Sequence, residues 1–315
     1  MTWFLLAALL ALSPLSLTLQ LTLLLAGVAL LGMPHGAMDH RVGERVLRPL
    51  VGGAWPALFA VGYLGLAGGV VLVWQVAPYT TLVAFLGISA VHFGLGDVEG
   101  LRGSRTWLGF EAVARGCVPV LLPVAFWPVQ VAELFSWVLP PGRFVAHETL
   151  AAVAPWLAWP VLAGAAAVAA VCAARRRWQT SLEVLTLGVS AYLLPPLAAF
   201  TLYFCLWHSA RHLLDLAAWR GDGDVRRGTP RLLREAVPMT LLTLAAMAVA
   251  AVYLLPGYGI PATLVHVTFV ALSALTAPHM LLTAWAHAKP PPTPPLDSSA
   301  TVKHLAGRAA AFPPA

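Results

Sequence analysis

Two histidines, His208 and His212, lie four residues apart within an apolar stretch, residues 197–216. On an α-helix, positions i and i+4 share one face, so the two imidazoles are predicted to point in the same direction. An ionisable side chain inside a membrane segment is costly, and two of them on one face indicate a shared task. Because neutral imidazole is a good ligand for iron, copper, nickel and zinc, the pair predicts a metal site.

Three further histidines are predicted to lie at the depth of this pair. When arginine-rich loops are assigned to the cytoplasm, His35 follows the inner end of the first apolar run, His92 ends the third, and His279 lies near the inner end of the last. Each of them alone is typical of a hydrogen-bonded residue at a membrane interface. Together with the pair, His35 and His92 predict a metal site, whereas His279 is either a further polar group beside the metal or a helix-end residue.

Carboxylates follow two of these histidines closely. Asp39 lies one helical turn after His35 in the segment GMPHGAMDH, and Asp97 ends the segment HFGLGD, which begins at His92. A histidine that binds a metal commonly donates its second ring N–H to a carboxylate. Asp39 and Asp97 are therefore candidates for that role, and the alternative for each is a helix-end or loop charge paired with arginine.

The composition predicts a protein of the lipid bilayer. Of the 315 residues, 59% are apolar and only 10% are charged, which is too few charges to coat a soluble globule of this size. The net charge of +6 is spread over short loops, which suits contact with anionic lipid headgroups and excludes a nucleic-acid-binding surface. We therefore predict an all-α, polytopic helical bundle in the inner (cytoplasmic) membrane of the cell.

Apolar runs alternate with charged loops and predict about nine transmembrane helices, within a range of about eight to ten because Pro14 could divide the first run. The runs are residues 4–31, 55–76, 82–93, 108–126, 151–174, 182–194, 197–216, 237–255 and 262–285. Residues 1–288 are predicted to form one transmembrane catalytic domain. The amphipathic stretch 127–149 is predicted to lie along the outer surface, and the proline-rich residues 289–315 are predicted to form a disordered cytoplasmic tail.

The chain resembles the Brp/Blh family of membrane-embedded β-carotene 15,15′-dioxygenases in three histidine-bearing segments and a later PH dipeptide. The segments are GMPHGAMDH (residues 32–40), HFGLGD (residues 92–97) and WHSARH (residues 207–212), and the dipeptide is residues 278–279. The order and spacing of three such segments make the resemblance fairly specific. It covers neither the first apolar run nor the tail.

The resemblance implies a non-haem Fe(II) enzyme that uses O2 to cleave β-carotene at its central 15,15′ double bond, giving two molecules of all-trans-retinal. It also implies that His35, His92, His208 and His212 hold the iron. The lipid bilayer then supplies the substrate. A functional link to a retinal-binding rhodopsin belongs to the same expectation.

Aromatic side chains beside the histidines are candidates for the wall of a substrate channel, namely Phe93, Tyr203, Phe204 and Trp207. Since β-carotene is a long hydrocarbon dissolved in the bilayer, an enzyme that acts on it gains by opening its site sideways to lipid. The alternative for each ring is ordinary helix packing.

Two other classes of protein share some of these features. A membrane di-iron hydroxylase or desaturase also carries histidines at the cytoplasmic face, but it usually has more of them, including HH dipeptides, and the sequence contains no HH. A transporter or proton-coupled carrier would use histidines that titrate along a pathway, and it predicts polar residues at several depths. The apolar runs are nearly free of polar residues outside one layer, which favours the oxygenase.

Overall fold

The computed structural model describes residues 15–288, and almost all of them are helical. The α-helices are α1 (Leu17–Gly27), α2 (Met33–Gly36), α3 (Asp39–Val51), α4 (Trp55–Val76), α5 (Pro78–Val98), α6 (Arg105–Phe126), α7 (Pro128–Val138), α8 (His147–Ala174), α9 (Trp178–Leu193), α10 (Pro196–Thr201), α11 (Ala210–Arg220), α12 (Val225–Tyr258) and α13 (Ile260–Ala288). Residues 15–288 contain no strand, so the all-α prediction is confirmed for them. The predicted tail, residues 289–315, and the kink at Pro14 lie outside the described residues.

Six candidate membrane spans occur among the described residues, by length and hydropathy. They are Leu17–Val76, Pro78–Val98, Arg105–Phe126, His147–Ala174, Val225–Tyr258 and Ile260–Ala286. Proline stands in the first turn of α4, α5, α7 and α10, where its missing N–H costs no hydrogen bond and its fixed φ suits a helix start. Several spans thus support a membrane protein, whereas the predicted number of about nine is not confirmed.

Two predicted crossings account for much of the difference in number. Helix α9 has 16 residues, which gives a length of roughly 24 Å and falls short of a hydrocarbon core about 30 Å thick. The predicted crossing at residues 197–216 forms α10, a π-helical segment and the first part of α11. Most of its side chains from Leu197 to Ser209 are buried against other helices, so its apolar character serves the protein interior.

The amphipathic stretch 127–149 contains the short helix α7, which ends before Pro140. The buried face of α7 includes Val131, Ala132 and Val138, and the helix packs against α8 and α13. One face of this stretch therefore belongs to the core, which the prediction of a surface segment did not anticipate.

Helices α5 and α6 pack with their backbones in close approach. A Cβ atom at Gly94 would overlap the carbonyl oxygen of Ala112, and one at Gly116 would overlap that of Ala90. Small residues at a crossing of two apolar helices permit this approach. The crossing fixes the position of the C-terminal part of α5, which carries His92.

Helix α13 is largely buried and packs against α3, α4, α7 and α12. Trp74 on α4 donates its indole N–H to Ser273 Oγ on α13 at 2.7 Å, with both side chains buried. A buried indole needs such an acceptor, so this hydrogen bond ties α4 to α13.

Two π-helical segments, Val28–Gly32 and Leu202–Ser209, pack against each other. At Gly32 a Cβ would lie 2.8 Å from Phe204 Cε1, so glycine is required for this close packing. A π-helical turn shifts the face that the following residues present, and such turns are frequent at functional sites. His35 follows the first segment and His208 lies near the end of the second.

Candidate metal centre

Five histidines from five parts of the fold converge in the protein interior. His35 lies on α2, His92 on α5, His208 on the second π-helical segment, His212 on α11 and His279 on α13. One potential ligand atom from each of His35, His92 and His279 lies within 4.8 Å of the other two. The His35 ring also lies 5.7 Å from the ring of His208 and 5.6 Å from that of His212, between centroids. The five imidazoles thus form one cluster.

The closest ring nitrogens of the cluster belong to His92 and His208, whose Nε2 atoms are 3.2 Å apart. Two imidazole nitrogens bound to one ion at about 2.1 Å would be separated by roughly 3.0–3.4 Å for angles between 90° and the tetrahedral value. The observed separation fits two adjacent ligands of a single metal. It also allows a hydrogen bond between the rings when one nitrogen carries a proton.

The Nδ1 atom of His35 faces its own helix and donates to the carbonyl oxygen of Gly32, with Ser209 Oγ at 3.3 Å. When Nδ1 carries the proton, Nε2 keeps its lone pair, because a neutral imidazole has one donor and one acceptor. The local backbone therefore fixes the ring of His35 in the tautomer that suits metal binding through Nε2.

The imidazole of His279 is held by a buried carboxylate. Its Nδ1 donates to Asp39 Oδ1 at 2.8 Å and lies 3.0 Å from Oδ2, and Tyr63 donates its hydroxyl to Asp39 Oδ2 at 2.7 Å. A carboxylate that orients a histidine in this way is a recurrent partner of metal-binding imidazoles. The structure thus joins Asp39 to His279, from the other end of the chain, although the sequence places it one turn from His35.

The hydrogen-bond partners of Asp97 differ from the prediction that it accepts a hydrogen bond from a histidine ligand. Its carboxylate accepts from Trp207 Nε1 at 3.2 Å and from the Tyr203 hydroxyl at 3.4 Å, and it lies 3.5 Å from Arg115 Nε. Long-range packing against α6 and the second π-helical segment provides these partners. Asp97 therefore joins α5 to α6 and to the π-helical segment that carries His208, and its hydrogen bonds go to an indole and a phenol, not to an imidazole.

Arg115 continues this group of charges away from the histidines. Its guanidinium lies 3.1 Å from Glu183 and 3.5 Å from Glu111, and Glu111 pairs with Arg177 at 2.7 Å. The hydrogen bond to Glu111 raises the pKa of Arg177, which follows α8 outside the candidate spans. Arg115 is 1% exposed and Glu111 is fully buried, so each charge depends on its partners.

The aromatic residues predicted for a channel separate into two pairs. Phe93 and Phe204 line an apolar cavity, and the Phe93 ring lies 5.0 Å from that of His208. Tyr203 and Trp207 contact Asp97 instead and are absent from the cavity wall. Tyr63 was not predicted as a site residue, because its only signal in the sequence is a hydroxyl within an apolar helix.

The cavity has a volume of about 410 Å³ and reaches the histidine cluster at His35, His92 and His279. Its other walls come mainly from α4, α5, α12 and α13 and are largely apolar. Clefts of roughly 300–1,000 Å³ with a few convergent polar groups are typical binding sites for small molecules. A second cavity of about 90 Å³ shares Phe85, Ser89, Phe93 and Phe200 with it.

The donor set of this cluster fits a transition metal. Imidazole nitrogens suit iron, copper, nickel and zinc, whereas calcium and magnesium prefer oxygen ligands. The cysteines Cys117, Cys172 and Cys205 are free thiols and do not belong to the group. Histidines outside it are differently placed, as His266 packs its ring 4.6 Å from Tyr258 towards the other end of α13.

Comparison with known proteins gives a consistent result. A family model described as beta-carotene 15,15′-dioxygenase matches residues 26–287. The probable beta-carotene 15,15′-dioxygenase Blh of Halobacterium salinarum is 32% identical over 299 residues, covering 86% of this chain and 85% of the relative. The beta-carotene 15,15′-dioxygenase of uncultured marine bacterium 66A03 is 26% identical over 260 residues, covering 82% of this chain and 90% of the relative. No solved structure matches the chain.

Proposed function

Because the chain belongs to the beta-carotene 15,15′-dioxygenase family, a family of oxidoreductases, we propose that it cleaves β-carotene to retinal. The cut falls at the central 15,15′ double bond, O2 is the oxidant, and the products are two molecules of all-trans-retinal. The observation that carries this proposal is the cluster of five histidines, three of which (His35, His92 and His279) line the wall of an apolar cavity.

The proposed cofactor is Fe(II), held by His35, His92, His208 and His212. His279 is a candidate fifth ligand, because one of its ring nitrogens lies within 4.8 Å of ligand atoms of His35 and His92, and Asp39 fixes its orientation. Ferrous iron in such a site supplies the activation of O2. Neutral imidazole ligands do not balance the positive charge of the ion. The buried Asp39 carboxylate, which bonds to His279, is an anion that could balance part of this charge.

The residues around the cavity would position the substrate and exclude water from the site. Phe93 and Phe204 present apolar rings beside the histidines, and Phe200 stacks on Phe204 at 5.2 Å, so a polyene can lie along these faces. Holding one double bond next to the reacting centre is a large part of the catalytic contribution in such a site. The largely apolar lining would exclude water from the reacting centre.

We further propose a single catalytic domain of residues 1–288 in the inner (cytoplasmic) membrane, with the chain's C-terminus in the cytoplasm. The apolar helices among the described residues support the membrane location. The retinal product would be available to a retinal-binding rhodopsin, and that partnership stays a prediction.

Expression in bacterial cells that accumulate β-carotene tests this function. The unmutated chain is expected to bleach the pigment and to produce retinal, measured by chromatography of the cell extract. His208→Ala is expected to abolish retinal, because it removes an imidazole from the cluster. His266→Ala is the matched control, since His266 is also buried but lies outside the cluster. Persistence of β-carotene with the unmutated chain, well expressed and supplied with iron, would contradict the proposal.

A further inference from the structure

The cavity beside the histidines extends from the protein interior to the perimeter of the bundle. Its inner wall includes the buried residues His35, Phe93 and His279. Its outer rim includes Leu64 on α4 and Leu242 on α12, which are 66% and 65% exposed. The cavity thus connects the candidate metal centre with the outside of the described part of the chain.

Helix α4 directs one stripe of side chains towards this rim. Pro56, Ala60 and Leu64 follow one another at intervals of four residues and all line the cavity. Helix α12 contributes Met239 and Leu242 on the opposite rim. Both helices pack against α13, which lines the cavity between them.

The rim lies within membrane-spanning helices and is apolar. Helix α4 belongs to the candidate span Leu17–Val76, and α12 is the candidate span Val225–Tyr258. Exposed leucine and methionine side chains on membrane-spanning helices are expected to contact lipid chains, so an opening between them would face hydrocarbon.

We propose that the gap between α4 and α12 is a lateral entrance through which β-carotene passes from the bilayer to the histidine cluster. This proposal rests on the proposed function, which makes a long hydrocarbon the substrate. Passage through water would expose all of its apolar surface, with a free-energy cost of about 25 cal/mol per Å² of exposed surface. A sideways path between α4 and α12 avoids that cost.

The α4 side of this lateral entrance has a fixed wall. Phe59 packs over Gly43 of α3, where a Cβ atom would overlap the phenyl ring, and the ring of Tyr63 lies 5.2 Å from that of Phe59. The hydroxyl of Tyr63 is bonded to Asp39. The wall is therefore held by α3 at two points, through Gly43 and through the Asp39 carboxylate that orients His279.

Bulky substitutions at the rim test the lateral entrance. Ala60→Trp and Leu242→Trp place an indole in the opening, whereas Val61→Trp and Leu241→Trp place it on adjacent exposed positions outside the cavity wall. Each purified protein is reconstituted into liposomes that contain β-carotene, without oxygen. Bound carotenoid per protein is then measured by absorbance after detergent extraction and gel filtration.

The two rim variants are expected to bind at least about tenfold less β-carotene than the unmutated chain, which corresponds to about 1.4 kcal/mol. The two neighbouring variants are expected to stay within about twofold of it. Leu64→Trp is a second block at the same rim, for use if either variant fails to give a monodisperse protein. Binding by all rim variants at the level of their neighbours would overturn the lateral entrance.

The same samples separate this inference from the proposed function. Iron and O2 are then added to the unmutated protein, and retinal is measured. Bound β-carotene without retinal would overturn the proposed function. In that case, β-carotene binding by the rim variants would still test the lateral entrance. Absence of any bound β-carotene in the unmutated protein would overturn both.

Discussion

Asp39 and Asp97 are both buried carboxylates that follow a histidine of the cluster in sequence, yet they have different partners. Asp39 bonds to the imidazole of His279 and to Tyr63. Asp97 bonds to Trp207 and Tyr203 and lies beside Arg115. The group of Asp39 and Tyr63, here called the Asp39 side, therefore bonds directly to a candidate metal ligand. The group of Asp97, Trp207, Tyr203 and Arg115, here called the Asp97 side, joins three helical segments around the cluster.

The difference teaches that distance along the chain from a histidine does not decide what a carboxylate does. Asp39 is four residues from His35 but bonds to a ring 240 positions away. What decides the role is the helix that packs opposite, α13 for Asp39 and α6 with the second π-helical segment for Asp97. Substitutions on the two sides should consequently affect different properties, metal affinity on one and stability on the other.

The largest expected effect is on stability, at the Asp97 side. Arg115→Met removes the cation shared by Asp97 and Glu183, and breaking such a buried group of charges costs about 3–5 kcal/mol. We expect a clear fall in the thermal unfolding midpoint in detergent. The control is Arg48→Met, which removes an exposed pair with Glu44 worth about 1 kcal/mol or less. Equal midpoints for the two variants would contradict the role of Arg115.

The next effect is on metal affinity, at the Asp39 side. Asp39→Asn removes the charge that orients His279, and loss of such a partner typically lowers metal affinity by about 10–100-fold. Competition with a chelator, followed by metal analysis, measures this change. Asp97→Asn is the matched control, with the same change of a buried carboxylate, and we expect its iron affinity to stay within about threefold of the unmutated value. Equal losses in both variants would remove the distinction between the two sides.

The smallest effect concerns Tyr63. Tyr63→Phe removes one hydrogen bond to Asp39 and keeps the ring in the cavity wall, so the expected loss is about 1 kcal/mol, or roughly fivefold in iron affinity. The same chelator competition measures it. Combination with Asp39→Asn should add little, because the hydroxyl acts through that carboxylate. Full additivity of the two losses would show that Tyr63 acts by another route.

The helical class, the membrane setting and the family could be predicted from the sequence because each depends on local signals. Apolar runs and arginine-rich loops placed histidines from distant positions at one depth, and the structure brings His35, His92, His208, His212 and His279 together. Depth along a helix follows from hydropathy alone, which is why this part of the site could be anticipated.

The remaining features depend on contacts that the sequence does not encode locally. The two π-helical segments shift the faces around His35 and His208, and a 3.6-residue period gives no sign of them. The two hydrogen-bond donors to Asp97 lie 106 and 110 positions away on the second of these segments. The predicted number of about nine crossings is not confirmed, and one reason is that an apolar run buried in protein resembles one that faces lipid, as residues 197–216 do.

The most direct test of the central claim is the iron content and iron coordination of the purified protein. We expect about one iron per chain, with X-ray absorption showing nitrogen ligands at about 2.1 Å and the outer-shell pattern of imidazole. His35→Ala is expected to lose the metal and His266→Ala to retain it. Iron bound equally by His35→Ala, or a first shell containing sulfur, would contradict a metal centre built by the histidine cluster.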